Sequence, residues 1–345
     1  MAGLNNATNH SIILEPPHIS LNVIFAEIGY ASIFLLSLLG NILICSILIW
    51  KKKFRSSNNV CILNLAIADL MVTLTIPVIM VLLLTRTFIF GPIVCKLIYL
   101  LQTCGFYASW LTLLIIAFDR YRSLNLTLTN GIPKKYLIAA ISSIWILSTL
   151  SAIPPLIFLK VTTSRNGQQC RQVWPTRQLQ KIYVICSSTL FVFLPFLLIC
   201  IIHIYIGIKL TRMGSRLSNS SIHHYKHKVI ITMSITSAVF LVCCFPYQLL
   251  SLLITSVPTF YKVKFLVTFV LEATIWMTFA HCMCNPVIYV ITSTQMRQDI
   301  TDAFKACHRY HHRPRWSSKG KTSQTPAIND SPTARKALSN PSNRI

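Results

Sequence analysis

Apolar residues along the chain gather into runs near the length of about 20 residues that crosses a bilayer, and short polar or basic segments separate them. The runs cover roughly Val23 to Trp50, Asn59 to Leu84, Val94 to Leu124, Leu137 to Phe158, Ile182 to Leu210, Val229 to Val257 and Phe265 to Ile291. An isolated strand in lipid would leave its backbone groups unpaired, so each run is predicted to be a helix. The pattern thus predicts an all-α membrane protein, a seven-transmembrane helix bundle over residues 23–291 behind a tail over 1–22. After the bundle, Thr294 to His308 places Met296, Ile300 and Phe304 on one face of a short amphipathic helix within 292–308, expected to lie on the membrane surface. Residues 309–345 are rich in Ser, Thr, Pro and Lys and are predicted to be disordered.

Composition excludes a soluble class. The chain is 53% hydrophobic and 12% charged, whereas soluble domains carry about 25% charged residues. Its net charge of +24 lies in segments beside apolar runs, which suits anionic lipid headgroups and gives no reason to invoke nucleic acid. Before Trp50 there is no Lys or Arg, while Lys51, Lys52, Lys53 and Arg55 follow at once. Basic flanks stay cytoplasmic, so the N-terminus is expected outside, the C-terminus inside, and the protein in the plasma membrane. No basic segment precedes an early apolar core, so the first span is expected to act as an uncleaved insertion signal. The sequons at Asn6 and Asn9 are then outside and open to glycosylation. Those at Asn125 and Asn219 fall on inner loops and are expected unmodified.

Most of the 12 cysteines sit in apolar runs, where Cys behaves as a small hydrophobe. Cys95 opens the third span and Cys170 lies in the segment before the fifth, both on the expected oxidising side. A bridge between them would tie that segment across the outer mouth. Cys282-Met283-Cys284 is too tight and too apolar for a zinc site. Cys307, at the end of the short amphipathic helix, is a candidate for palmitoylation, with a free exposed thiol as the alternative.

Ionisable groups inside a span are costly and mark function. Asp69 lies deep in the second span, with Asn41, Ser109 and Asn285 as expected neighbours. Asp119-Arg120-Tyr121 closes the third span. At about 1.5 Å per residue, the step from Cys95 to Arg120 is roughly 38 Å, enough to cross the bilayer. Pro77, Pro154, Pro195, Pro246 and Pro286 fall in five different spans and mark kinks.

These residues resemble the rhodopsin-like, or class A, G protein-coupled receptors over residues 23 to 307. The resemblance is carried by Gly40-Asn41, Leu65 to Asp69, Asp119-Arg120-Tyr121, Trp145, Pro195, Phe240 with Cys243 and Pro246, and Asn285-Pro286-Val287-Ile288-Tyr289. It implies a receptor whose sixth span, hinged near Pro246, swings outward to admit a heterotrimeric G protein above Arg120. Phe240, Pro246, Asn285, Pro286 and Tyr289 are the other activation residues so implied, with arrestin and receptor kinases acting on the tail. It also implies an allosteric sodium ion at Asp69, Ser109 and Asn285, and no other cofactor.

The chain departs from that pattern in several places. His281 replaces a frequent amide beside the ion, Cys244 replaces the sixth-span tryptophan, and His203 replaces the fifth-span tyrosine. No acid stands at the base of the sixth span to hold Arg120. Lys226 and Lys228 are there instead, so a loosely held resting state is expected.

The position of the amine-binding aspartate is Gln102 and that of the retinal-binding lysine is Phe279, which excludes those ligands. Gln102 and Cys170-Arg171-Gln172-Val173-Trp174-Pro175 look most like the neuropeptide receptors. A peptide is therefore the expected ligand, and a lipid or small carboxylate the alternative. Gln102, Tyr107, Arg171, Tyr247, Gln248 and Glu272 are pocket candidates, against ordinary helix packing. An intramembrane zinc hydrolase needs more His and acid ligands than His203, His281, Asp69 and Glu272 offer, and no Gly-x-Ser-x-Gly nucleophile occurs. A transporter would show repeated halves.

Overall fold

Seven helices long and apolar enough to cross a membrane run through the structure, a computed structural model that describes residues 21–53, 56–125, 132–164, 167–214, 221–257, 264–292 and 294–311. Asn6, Asn9 and the tail beyond 311 lie outside these residues, as do the side chains of Lys226, Lys228, Phe304 and Cys307. The first span is α1 (Leu21–Trp50); the second is broken into α2 (Ser57–Thr73) and α3 (Ile76–Thr85). The third and fourth are α4 (Gly91–Asn125) and α5 (Lys134–Phe158). A hairpin of β1 (Leu159–Ser164) and β2 (Gly167–Gln172) follows. The fifth span joins α6 (Arg177–Ser188) to α7 (Leu194–Gly214) through one π turn, Thr189–Phe193. The sixth is α8 (Ser221–Ser256), the seventh α9 (Lys264–Thr292), and α10 (Thr294–His311) comes last.

The seven spans fall where the sequence predicts them, but several helices run longer, because hydropathy marks where lipid ends and not where helical hydrogen bonding ends. The fifth span starts at Arg177 and not Ile182, and the sixth at Ser221 and not Val229. The hairpin was unforeseen. Only Leu159, Val161 and Cys170 of its residues are apolar, too few for alternation to stand out, and they pack against Phe88 and Cys95 while Phe88 N–H donates to Gln168 O at 2.8 Å.

The third span is the centre of the bundle. In it 61% of the apolar stretch is buried, against 39% or less in every other span, and α4 packs on α2, α5, α7 and α8. Gly105 allows a close approach to α2. A Cβ there would stand 2.7 Å from the carbonyl oxygen of Ala68.

Prolines remove an N–H and leave the carbonyl four residues earlier without its helical donor, and in lipid that carbonyl must find another. Pro286 strands Cys282 O, which Asn41 Nδ2 of the first span reaches at 3.0 Å. Gly40 makes room for the Pro286 ring, since a Cβ at Gly40 would lie 2.6 Å from it. Pro155 strands Ser151 O, and the Tyr183 hydroxyl of the fifth span donates to it at 2.8 Å. In the second span Pro77 accompanies the break at Leu74 and Thr75. There Thr75 Oγ1 donates to Val72 O and accepts from Gln102 Nε2 at 3.0 Å. Each of these three breaks is thus also a tie between spans.

The helix α10 buries Met296 and packs Ile300 into the main apolar cluster. Its polar face is clamped by the lysines that follow the first span. Lys51 Nζ lies 2.7 Å from Asp299 Oδ1 and 2.8 Å from Asp302 Oδ2, and Lys53 Nζ 2.5 Å from Asp299 Oδ2. Burial pushes the Asp299 carboxyl up, but Lys51 and Lys53 outweigh it and hold the group below its ordinary value. Bonds to Asp299 and Asp302 push the Lys51 ammonium above its own ordinary value. The Asp299 contribution is therefore present above the unfolded carboxyl value and lost as pH falls through the folded one. That of Lys51 is present below the unfolded ammonium value and lost as pH rises through the folded one. We expect Asp299→Asn to cost about 1 kcal/mol, or roughly 2–4 °C in the unfolding midpoint of the purified protein. It should also shrink the loss of stability between neutral and acid pH; an unchanged acid limb contradicts the clamp.

Candidate functional site

At one end of the third span Cys95 is bonded to Cys170, with 5.8 Å between Cα atoms, so β2 is tied to the top of α4. In the β1–β2 register Lys160 stands directly opposite Arg171. Both are exposed, and like charges paired across a ladder repel. One turn and three turns along α4 from Cys95 lie Tyr99 and Tyr107. The Tyr99 hydroxyl stands near Tyr183, Thr103 and Gln172, and that of Tyr107 near Ser187. Tyr107 also stacks on Phe191 with centroids 4.7 Å apart, and Tyr247 stands near Tyr99 and Tyr107. A ring of tyrosines thus lies beneath the hairpin.

The candidate pocket residues divide. Tyr107 and Tyr247 belong to the ring, Arg171 to the hairpin above it, and Gln102 is engaged with Thr75. Gln248 is half-buried on α8, and Glu272 is exposed on α9. Tyr99, Tyr183 and Glu27 were missed. Spacing of four from Cys95 would have pointed to Tyr99, and Glu27 is an acid in an apolar run that joins Glu272 around Tyr30.

At the other end of the third span Arg120 Nη2 lies 3.0 Å from Asp119 Oδ2 and donates to Asn58 Oδ1 at 2.6 Å. Asp119 Oδ1 accepts from Ser57 Oγ at 2.9 Å and from Ile132 N–H at 2.8 Å. One carboxylate therefore joins the second span, the third, and the chain leading into the fourth. Tyr121 meets Tyr205, not His203, with centroids 5.1 Å apart. His203 is half-buried on α7.

Between the two ends lies a buried polar cluster. Asp69 accepts from Ser109 Oγ at 3.1 Å through Oδ1 and from Asn285 Nδ2 at 2.6 Å through Oδ2. Asn41 is beside it but is bonded to Ser37 and Cys282 instead of Asp69. His281 Nε2 stands 3.5 Å from Asp69 Oδ1. A sodium ion, like other hard cations, takes a shell of oxygens. Here a nitrogen and a sulfur, from His281 and Cys282, converge with Asp69 Oδ1, the oxygen that also accepts from Ser109, so the residues present do not make an all-oxygen shell.

An aromatic stack closes the cluster on the sixth-span side. Phe240 meets Trp110 edge-on at 4.9 Å and His281 at 4.7 Å. Cys244, small and fully buried, sits where the family carries tryptophan, in the same apolar cluster as Phe240 and Trp110. Pro246 follows on α8, and Tyr289 is buried one turn beyond Asn285.

Residues 40–289 match the family described as "7 transmembrane receptor (rhodopsin family)". The chain belongs to that family, as a multi-pass protein of the plasma membrane. Among its relatives, the substance-P receptor of Mus musculus is 26% identical over 313 residues, 88% of this chain and 76% of that one. The cholecystokinin receptor of Xenopus laevis is 32% identical over 189 residues, 52% of this chain and 42% of that one. The C-X-C chemokine receptor type 2 of Homo sapiens is 39% identical over 153 residues, 44% of this chain and 42% of that one.

A residue unmarked at the sequence level, Asn64, bridges three spans of this rhodopsin-family receptor. It donates to Thr112 Oγ1 at 2.7 Å and accepts from Trp145 Nε1 at 2.9 Å. Interhelical hydrogen bonds in membranes average about 0.6 kcal/mol, so Asn64→Ala should cost about 1–2 kcal/mol. Thermal unfolding in detergent checks this, and a midpoint equal to wild type contradicts it.

Proposed function

We propose that the protein is a receptor for an extracellular peptide and activates a heterotrimeric G protein. On this reading the disulfide end faces outside and the Asp119–Arg120 end faces the cytoplasm. The reading draws support from the basic flank after Trp50, from Cys95–Cys170 requiring an oxidising side, and from relatives named for substance P, cholecystokinin and chemokines. Arrestin, receptor kinases and anionic lipids are the further partners the reading assigns.

The observation that carries the ligand chemistry is the facing of Lys160 and Arg171 beneath open solvent. Two cations held at adjacent ladder positions repel until an anion lies between them, and their shared field raises its local concentration. Arg177 and Lys181 extend the same sign, and Lys181 donates to Ser256 O at 3.3 Å. A carboxylate of the peptide, from a side chain or its C-terminus, would meet this pair while its apolar part enters the tyrosine ring. The same chemistry admits a lipid or small carboxylate as the second reading.

Activation on this reading is a population shift between two packings. Contacts at the tyrosine ring favour the packing in which α8, hinged at Pro246, moves its cytoplasmic end from α4 and opens a cleft over Arg120. His203, Phe240, Asn285, Pro286 and Tyr289 line the path, and Arg120 leaves Asp119 and Asn58 to meet the G protein.

A peptide library read by G protein activation in cells tests the reading. Peptides with a free carboxylate should activate, and their amidated forms should be weaker. Arginine-to-carboxylate contacts contribute about 1.5–3 kcal/mol, so Arg171→Ala should weaken potency roughly tenfold or more at unchanged surface expression. A cationic ligand, or potency untouched by Arg171→Ala with Lys160→Ala, would overturn the anion-binding role. An active lipid carboxylate with inactive peptides would select the second reading.

A further inference from the structure

The side of Asp69 that sodium does not fit carries a different donor set. The His281 Nδ1–H donates to Thr278 O, within the same helix. In the neutral ring this leaves Nε2 as a lone pair, which faces the Asp69 carboxylate and the Cys282 thiol. Asp69 Oδ1 is 3.5 Å away and Cys282 Sγ is 3.5 Å away. Asp69 Oδ1, His281 Nε2 and Cys282 Sγ all lie within 4.8 Å of one another, and the three residues are buried. Lone pairs do not converge in a dry interior unless a proton or a cation lies among them.

We propose that Asp69, His281 and Cys282 form a binding site for a thiophilic divalent metal ion, zinc in type. A tetrahedral ion with bonds of about 2.0–2.3 Å separates its donors by roughly 3.3–3.8 Å, which matches the two 3.5 Å separations. The supporting groups are those of a metal site. Thr278 O fixes the imidazole tautomer, while Ser109 and Asn285 orient the carboxylate. Charge closes as well. One carboxylate and one thiolate neutralise a divalent ion, so no net charge is left inside the membrane, and the thiol proton leaves to solvent on binding. Without the metal, the Cys282 thiol donates to His281 Nε2 at 3.5 Å, and that proton is the one the ion displaces.

An ion bound here would join the second and seventh spans and hold them in the packing described here.

The test uses the full-length receptor, purified without ligand and reduced with a non-thiol phosphine, with cobalt(II) and zinc(II) alone as probes. Thiolate bound to cobalt gives a charge-transfer absorption in the near ultraviolet, which imidazole-only sites such as His-rich tails do not. Wild type should show that band at one cobalt per receptor, zinc should abolish it, and zinc should raise the unfolding midpoint by several degrees. Cys282→Ser should remove the band, and His281→Asn should weaken cobalt binding at least tenfold. Absence of the band in wild type overturns the proposal even if the variants fail to fold. So does an equal band in Cys282→Ser, or a midpoint raised by sodium and not by zinc.

Discussion

A carboxylate buried in the middle of an apolar bundle is the constraint around which this receptor is arranged. Asp69 is fully enclosed, and a charge there is tolerable only with partners on every side. Ser109 brings in the third span, Asn285 and His281 the seventh. The requirement propagates. Asn285 is followed by Pro286, the freed Cys282 carbonyl calls for Asn41, and Gly40 must be small for the proline ring to fit. A chain of single necessities thus links the first, second, third and seventh spans.

The same logic extends towards both ends. The lipid interior supplies no water, so helices touch where a stranded polar group finds its partner. Tyr183 on Ser151 O, Gln102 on Thr75, Trp145 on Asn64 and Ser57 on Asp119 are each of this kind. Arg120 is held by Asp119 of its own helix and Asn58 of the second span. The arginine thus has a local restraint that does not depend on an acid at the base of the sixth span.

The span count and the polar centre were legible because the bilayer imposes a length and punishes charge. Asp69, Ser109 and Asn285 stood out as polar residues in apolar runs, and the structure brings all three together. What could not be read was relational. Tyr99 and Tyr183 look like ordinary aromatic residues until the hairpin is placed over them. Lys160 and Arg171 became a pair only through the β1–β2 register. Lys51 and Asp299 are far apart in sequence, and nothing local marks one for the other. Tyr205, placed by its helix away from the family's tyrosine position, nevertheless meets Tyr121 across the third and fifth spans. His281 and Cys282 were each recognisable as departures, but their convergence with Asp69 is a fact of packing.

The central claim is that Asp69 and its partners act as one unit that holds the spans together. A double-mutant cycle between Asp69 and Asn285, read as unfolding free energy of the purified receptor, measures this directly. Contacting residues that share a network couple by about 0.5–3 kcal/mol, whereas independent sites add within about 0.3–0.5 kcal/mol. The account predicts a coupling of about 1 kcal/mol or more between Asp69→Asn and Asn285→Ala. Additivity within error would mean that the 2.6 Å contact does not hold the seventh span to the second, and would contradict the account.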